Sequence, residues 1–129
     1  MKALCSILFV ILVAPILVNA EDGKVLYYKS EIAGPQITKA YYTQKSIKKV
    51  DPKNPRLFQV DTQTLVKSPE GKSEYRVTYQ INCNEKKITR VKFWSSGFGY
   101  DNGLMVNGKW DSVTDYEDAS ALAQKICSQ

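Results

Sequence analysis

The chain has 129 residues, a formal net charge of +5 at pH 7 and no histidine. The absence of histidine excludes the Ser-His-Asp and Cys-His mechanisms and most zinc sites, and it removes the usual general base at neutral pH. The basic charge suits anionic partners such as acidic polysaccharide, lipid headgroups or acidic proteins, but it fits a soluble surface without such a partner equally well.

The first 20 residues predict a cleaved secretory signal peptide. Lys2 supplies a positive charge, residues 3–18 are apolar, and the Val-Asn-Ala sequence that ends at Ala20 has the small residues that signal peptidase requires. The apolar stretch is shorter than the roughly 20 residues of a membrane-spanning helix. No lipid-attachment cysteine follows it. We therefore expect residues 21–129 to form a single exported domain, periplasmic or extracellular, with neither a transmembrane segment nor a lipid anchor.

The predicted mature domain contains two cysteines, Cys83 and Cys127. An exported chain meets an oxidising compartment, and two cysteines allow only one pairing. The alternative is two free thiols in a redox or metal site, but these two residues lack the close spacing that such sites use. We predict a disulfide bond.

Period-two patterns and turn residues predict an antiparallel meander. The clearest strand is Glu74–Cys83, in which apolar and polar residues alternate without interruption. In the next strand, Ile88, Val91 and Phe93 do not share one phase, and this shift predicts a β-bulge. Proline and glycine at 34–35, 51–55 and 68–71 separate the earlier strands. The predicted strands are 24–29, 37–43, 56–67, 74–83 and 86–94.

The last third of the chain predicts a glycine-rich segment and then a helix. Residues 95–109 contain two Asn-Gly turn signals, around which short strands would extend the sheet. Thr114 and Glu117 fit a capping box, and the apolar residues that follow have helical spacing. We predict an α+β fold: an antiparallel meander with a C-terminal amphipathic helix packed on one face and clamped by one disulfide. The predicted apolar positions of the helix are Tyr116, Ala119, Leu122, Ala123 and Ile126.

Several short motifs resemble those of one family of exported proteins. They are Tyr41-Tyr42 followed by Ser46-Ile47, the strand ending at Cys83, the pair Phe93-Trp94, Trp110, and the helix ending Ile126-Cys127. Together, over roughly residues 37–127, they resemble the surface-adhesin protein E family of Gram-negative bacteria. The resemblance implies a small antiparallel sheet with a helix, a location in the cell envelope, and binding to host matrix and plasma proteins.

Two groups of residues are candidates for binding a partner. Basic residues are interleaved with Trp94 on one predicted strand, a pattern typical of proteins that bind single-stranded nucleic acid. The predicted export argues against a nucleic-acid partner and favours an acidic polysaccharide, although these residues also fit the solvated face of a strand. Apolar residues on the turn-rich segment suit a protein partner, because exposing apolar side chains to water is unfavourable unless they are buried in the fold or contact a partner. The basic residues are Lys86, Lys87, Arg90 and Lys92. The apolar ones are Phe98, Tyr100, Leu104 and Met105 on the turn-rich segment, together with Trp94 at the end of the preceding predicted strand.

Three pairs of neighbouring aromatic residues predict rings on both faces of the sheet. Adjacent residues of a strand point to opposite faces, so each pair places one ring on the face away from the helix. Such a patch suits a protein partner or a second copy in a homodimer, or else the rings only cover an open sheet through cross-strand pairing. The pairs are Tyr27-Tyr28, Tyr41-Tyr42 and Phe93-Trp94.

No pattern predicts a catalytic residue, a cofactor or a metal site. Ser46 and Lys49 match S-x-x-K, but its companion motifs are missing. Asp101 and Gly103 match part of a calcium loop whose other ligands do not follow. We therefore expect an exported, non-enzymatic binding protein, of the adhesin type, that recognises host matrix or plasma proteins. The alternatives are a periplasmic accessory or inhibitor protein that binds another envelope protein and, third, a small enzyme.

Overall fold

A computed structural model describes residues 23–32, 35–97, 99–101 and 105–129. The predicted signal peptide and two of the predicted binding residues, Phe98 and Leu104, lie outside these ranges. In the described ranges, no helix is both long enough and apolar enough to cross a membrane.

Eight strands of the described chain form one curled antiparallel sheet, followed by a single long helix. The sheet order is β1-β2-β4-β5-β6-β7, with β3 paired to β4 and β8 paired to β6. The predicted α+β fold is therefore confirmed. The strands are β1 (Lys24–Ile32), β2 (Gln36–Thr43), β3 (Lys48–Asp51), β4 (Asn54–Ser68), β5 (Gly71–Asn82), β6 (Lys87–Ser95), β7 (Gly99–Asp101) and β8 (Asp111–Ser112), and the helix is α1 (Glu117–Cys127).

The β4–β5 hairpin is the centre of the sheet. Its register pairs every residue from Leu57 to Ser68 with a partner on β5, without interruption. A two-residue turn joins the strands, and Gly71 follows it with φ +141°, a conformation that favours glycine. Because side chains alternate along a strand, one side of this hairpin faces α1 and the other side faces away from it.

The core lies between the hairpin and α1. Val60 and Ile81 from the sheet and Leu122 and Ile126 from the helix are fully buried. Burying an aliphatic side chain of this size contributes about 1.5–3 kcal/mol.

The end of α1 is held in place by a covalent bond and a hydrogen bond. The predicted disulfide between Cys83 and Cys127 is confirmed, with 5.7 Å between the two Cα atoms. Arg56 donates a hydrogen bond from Nη2 to the carbonyl oxygen of Cys127 at 3.2 Å. The helix is therefore attached to β4 and to the end of β5 at its last turn.

The predicted capping box at the start of the helix is wrong. Residues Val113–Asp115 form a 3-10 turn in which the Ser112 side chain accepts from the Thr114 amide. Tyr116 then has extended backbone angles, and α1 begins at Glu117. The physical reason is that the chain must turn away from β8, which is paired to β6, before the helix can begin. The extended backbone at Tyr116 separates the 3-10 turn from the hydrogen bonds of α1. Tyr116 consequently precedes the helix and is 59% exposed, instead of packing on its apolar face.

The predicted bulge in β6 is confirmed. Thr78 pairs with Lys92 and Tyr79 pairs with Arg90, which leaves Val91 as the extra residue. An extra residue changes the phase of the strand, so Arg90 shares the helix side of the sheet with Tyr79, whereas Lys92 lies on the opposite side.

A second bulge, in β1, contradicts the predicted placement of the first tyrosine pair. Leu26 pairs with Tyr41 and Tyr28 pairs with Ala40, so Tyr27 is the extra residue. Tyr27 is buried with its ring centroid 6.3 Å from that of Tyr42, and Tyr28 donates to Glu117 of α1 at 3.4 Å. Both tyrosines therefore face the helix. The other two pairs do divide between the faces: Tyr42 and Phe93 lie on the helix side, and Tyr41 and Trp94 lie on the other.

Removal of the disulfide should destabilise the domain. The bond closes a loop with a sequence separation of 44 residues, for which the chain-entropy model gives about 4 kcal/mol. We expect Cys83→Ala with Cys127→Ala to lower the free energy of unfolding by about 2–5 kcal/mol in a denaturant titration. The reduced wild-type protein is the control and should lose a similar amount. An unchanged unfolding midpoint in both samples would contradict the assigned bond.

Substitutions on two adjacent helix residues should differ strongly. Ala123 is buried against the sheet, whereas its neighbour Gln124 is exposed. Ala123→Asp buries an unpaired carboxylate and should cost several kcal/mol, whereas Gln124→Asp should change the stability by about 0.5 kcal/mol or less. Thermal unfolding followed by circular dichroism measures both. Equal melting temperatures would show that the helix does not pack through this face.

Candidate binding surface

The face of the sheet opposite α1, which we call the open face, carries a continuous line of paired side chains. Directly paired residues of an antiparallel sheet project to the same face, and each residue of this line pairs with the next across five strand boundaries. We call the line the transverse row. Its members, in order from β1 to β7, are Leu26, Tyr41, Gln63, Arg76, Trp94 and Tyr100.

Hydrogen bonds hold the polar centre of the row. Arg76 donates from Nε to Glu74 Oε2 at 2.7 Å, and Gln63 donates from Nε2 to the same oxygen at 2.8 Å. Lys24 donates from Nζ to Gln63 Oε1 at 2.7 Å. The guanidinium of Arg76 is thereby fixed by a neighbour two residues earlier on the same strand.

The carboxylate of Glu74 is stabilised in its charged form. The hydrogen bond from Arg76, and next the one from Gln63, lower the pKa of Glu74 below its ordinary value. A charged acceptor makes these bonds stronger than neutral ones, so the contact persists at neutral pH.

A partly exposed aromatic platform forms the β6–β7 end of the row. The guanidinium carbon of Arg76 lies 4.4 Å from the ring centroid of Trp94, within the range of a cation–π contact. Tyr100 stands opposite Trp94 and is 68% exposed. This end of the row therefore presents an oriented cation between a carboxylate and two aromatic rings. We call Arg76, Trp94 and Tyr100 the aromatic platform.

A depression of about 290 Å³ lies beside the platform. Lys24, Asp61 and Lys92 contribute to its lining together with the three platform residues. Asp61 accepts a hydrogen bond from the Thr78 hydroxyl at 2.8 Å, so this carboxylate already has a partner.

The structure brings together three of the predicted binding residues and separates the others. Trp94, Tyr100 and Lys92 line the same depression. Lys87 pairs with Asn82 at the opposite end of β6, and Lys86 lies in the β5–β6 turn. The predicted basic strand is therefore not one continuous surface.

Arg90 and Met105 lie in a different place. Both line a cavity of about 200 Å³ near the start of α1, together with Tyr79 and Asp118. Burial raises the pKa of Tyr79 above its ordinary value, whereas the nearby charge and hydrogen bond of Arg90 act in the opposite direction. Arg90 lies here because the bulge at Val91 turned it to the helix side.

The sequence patterns did not identify several residues of the surface, among them Lys24, Gln63 and Arg76. The sequence indicates only that Arg76 lies on the polar side of the predicted strand Glu74–Cys83. The partners of Arg76 come from β4 and β6, and alternation alone does not specify which residue stands opposite.

Comparison of the chain with family models, with curated proteins and with solved structures gives no match. The resemblance to the surface-adhesin protein E family therefore stays a prediction. Among the described residues, no group of three or more histidine, cysteine, aspartate or glutamate side chains is arranged to hold a metal ion.

Substitution of Glu74 should make the stability less dependent on pH in the acid range. The pKa of Glu74 is lower in the folded chain, so its stabilising effect is complete above the unfolded pKa and disappears as the pH falls through the folded one. We expect Glu74→Gln to cost about 1 kcal/mol or less at pH 7, since the contact is partly exposed, and nothing once the pH is low enough to protonate the carboxylate.

Urea titrations of wild-type and Glu74→Gln protein at a series of pH values measure this convergence. Glu85→Gln, in the exposed β5–β6 turn, is the matched control and should stay close to the wild type throughout. Parallel curves for the wild type and Glu74→Gln would contradict the role assigned to the Arg76 contact.

Proposed function

We propose that the chain is an exported, non-enzymatic binding protein of the adhesin type, which recognises a protein of the host matrix or plasma through the aromatic platform. The observation that carries the proposal is the Arg76 guanidinium, held by Glu74 at 2.7 Å and lying 4.4 Å from the Trp94 ring centroid, beside an exposed Tyr100.

The residue types of the platform are those that dominate protein interfaces. Tryptophan, tyrosine and arginine are enriched among the residues whose loss costs an interface most. A rigid ring loses little conformational entropy when it is covered, and Arg76 is already ordered before a partner arrives. The platform therefore offers a pre-organised anchor for a partner.

The pairing of charges on this surface supports binding over catalysis. A general base needs a lone pair directed at a substrate proton. Glu74 Oε2 accepts from Arg76 and Gln63, which lowers the pKa of this carboxyl and makes it a weaker base, and Asp61 Oδ1 accepts from Thr78. Their role is to orient the cations and hydroxyls of the surface.

Truncation of the platform should abolish recognition. Trp94→Ala with Tyr100→Ala should weaken binding to immobilised host matrix proteins, such as fibronectin and collagen, at least about 30-fold, since two central anchors are worth about 2 kcal/mol or more. Trp110→Ala with Tyr116→Ala is the matched control, because both are exposed aromatic residues outside the transverse row. It should change the affinity less than about threefold.

Surface plasmon resonance on the mature exported protein measures these affinities, with melting curves to verify folding. Equal affinities of the platform variant and the wild type would exclude the platform as the site. Binding to an envelope extract, with none to the matrix proteins, would instead support the alternative of an accessory or inhibitor protein for another envelope component.

A further inference from the structure

Four lysines stand on four neighbouring strands of the open face. Lys29 on β1 pairs directly with Lys39 on β2, and Lys67 on β4 pairs directly with Lys72 on β5. Lys39 and Lys67 are related diagonally, because Lys39 pairs with Leu65 and Ile37 pairs with Lys67. With strands about 4.8 Å apart and a diagonal offset of about 6.8 Å along the strands, the line is about 16 Å long from end to end. We call these four residues the lysine track.

The track is unfavourable for the sheet itself. Like charges directly opposite each other destabilise an antiparallel pair, and here two such pairs lie side by side. Lys29 is 3.3 Å from Glu31, an exposed ion pair. Within the described ranges, Lys39, Lys67 and Lys72 have no ion pair. An anionic ligand would offset this repulsion.

An apolar floor lies among the lysines. Ile37, Leu65 and Tyr41 line an open groove of about 530 Å³, whose edge is formed by Lys39, Lys67 and Lys72. Leu65 is 40% exposed although it stands in the middle of the sheet, on the long strand β4. The groove therefore combines cations with an apolar surface that no described part of the chain covers.

The acidic residues near the groove leave its charge positive. Glu74 also lines the groove, but its carboxylate is engaged by Arg76 and Gln63. Glu31 is next to Lys29 at the β1 end, and Glu70 accepts from Ser68 in the β4–β5 turn. The uncompensated cations are thus the three lysines at the groove edge.

We propose that the lysine track binds a linear sulfated polysaccharide. Sulfate groups repeat along such a chain and can pair with ammonium groups placed on successive strands. The C–H faces of the sugar rings are apolar and would cover Leu65 and Tyr41, which removes their surface from water. The inference rests on the proposed function, because an exported protein that binds the host matrix would meet the sulfated polysaccharides that occur there.

The linear arrangement favours a polymer over a phospholipid surface. A bilayer presents anionic headgroups in two dimensions and would attract the exposed lysines at the edges of the domain as readily as this line. A polymer needs cations along one direction, as the track has them. The predicted basic residues of β6 and of the turn before it do not have this arrangement, since the structure separates Lys86, Lys87, Arg90 and Lys92.

Heparin binding by charge-matched variants tests the proposal. The track variant is Lys39→Gln, Lys67→Gln and Lys72→Gln. The control variant is Lys45→Gln, Lys53→Gln and Lys125→Gln, which removes the same charge from exposed positions outside the groove. For the exported protein, we expect the track variant to raise the Kd for heparin at least about tenfold and the control to raise it about twofold or less. Removal of the like-charge pair should leave the melting temperature of the track variant equal to or above that of the wild type.

Each arm of the experiment has an outcome that overturns the proposal. Equal losses in the two variants would show that affinity follows net charge alone, and wild-type binding by the track variant would exclude the track. Equal affinity of the wild type for heparin and for unsulfated hyaluronan would exclude sulfate recognition. Loss of binding to phosphatidylglycerol vesicles, with heparin binding retained, would assign the track to lipid.

The platform variant separates this inference from the proposed function. Trp94→Ala with Tyr100→Ala removes the aromatic platform and leaves all four lysines in place. We expect it to bind heparin within about twofold of the wild type. A loss of heparin binding as large as that of the track variant would overturn the assignment of the polysaccharide to the lysine track, whereas failure of the matrix-protein experiment alone would leave it standing.

Discussion

The register between β4 and β5 fixes which side chains lie in the core and which lie on the open face. It places Val60 and Ile81 beneath α1, and it places Gln63 opposite Arg76 on the other side of the sheet. A slip by one residue would exchange the two faces, burying the polar side chains and exposing the core. Core formation and surface presentation are therefore consequences of one set of backbone hydrogen bonds, and the disulfide at Cys83 keeps the helix on the correct side.

Two bulges interrupt the alternation of side chains and so change which residues face the helix. The extra residue in β6 lets Arg90 join the helix side while Lys92 and Trp94 remain on the open face. The extra residue in β1 lets Tyr27 and Tyr28 both face the helix. Since a bulge inverts the phase of everything beyond it, each one decides which side chains are available to a partner.

The open face contains two regions with different electrostatics. In the transverse row, Arg76 and Glu74 compensate each other, and the remaining contact area is mostly aromatic. In the lysine track, three cations have no acidic partner among the described residues. Interactions through exposed, uncompensated charge are screened by salt over about 8 Å at physiological ionic strength, whereas burial of aromatic surface is not. Binding through the lysine track would therefore weaken as salt is added, whereas binding through the aromatic part of the transverse row would depend on salt much less.

Features that depend on local pattern can be predicted from the amino-acid sequence alone. Alternation in Glu74–Cys83 predicts the central strand, the apolar spacing after Glu117 predicts the helix, and the lone cysteine pair predicts the bond that joins them. Even the β6 bulge was visible, because Val91 falls out of phase with Ile88. For the candidate surface, the sequence pointed to Trp94 and Tyr100 but not to Arg76.

The pairs of residues that stand opposite one another on neighbouring strands cannot be predicted in this way. Alternation tells which residues share a face of one strand, but the register between strands depends on packing over the whole sheet, which no single segment encodes. The transverse row and the lysine track are cross-strand features, so neither was visible along the chain. The bulge at Tyr27 could not be predicted from the sequence for the same reason. Tyr27 and Tyr28 are both suitable strand residues, and it is the contacts of β1 with β2 and α1 that turn both side chains towards the helix.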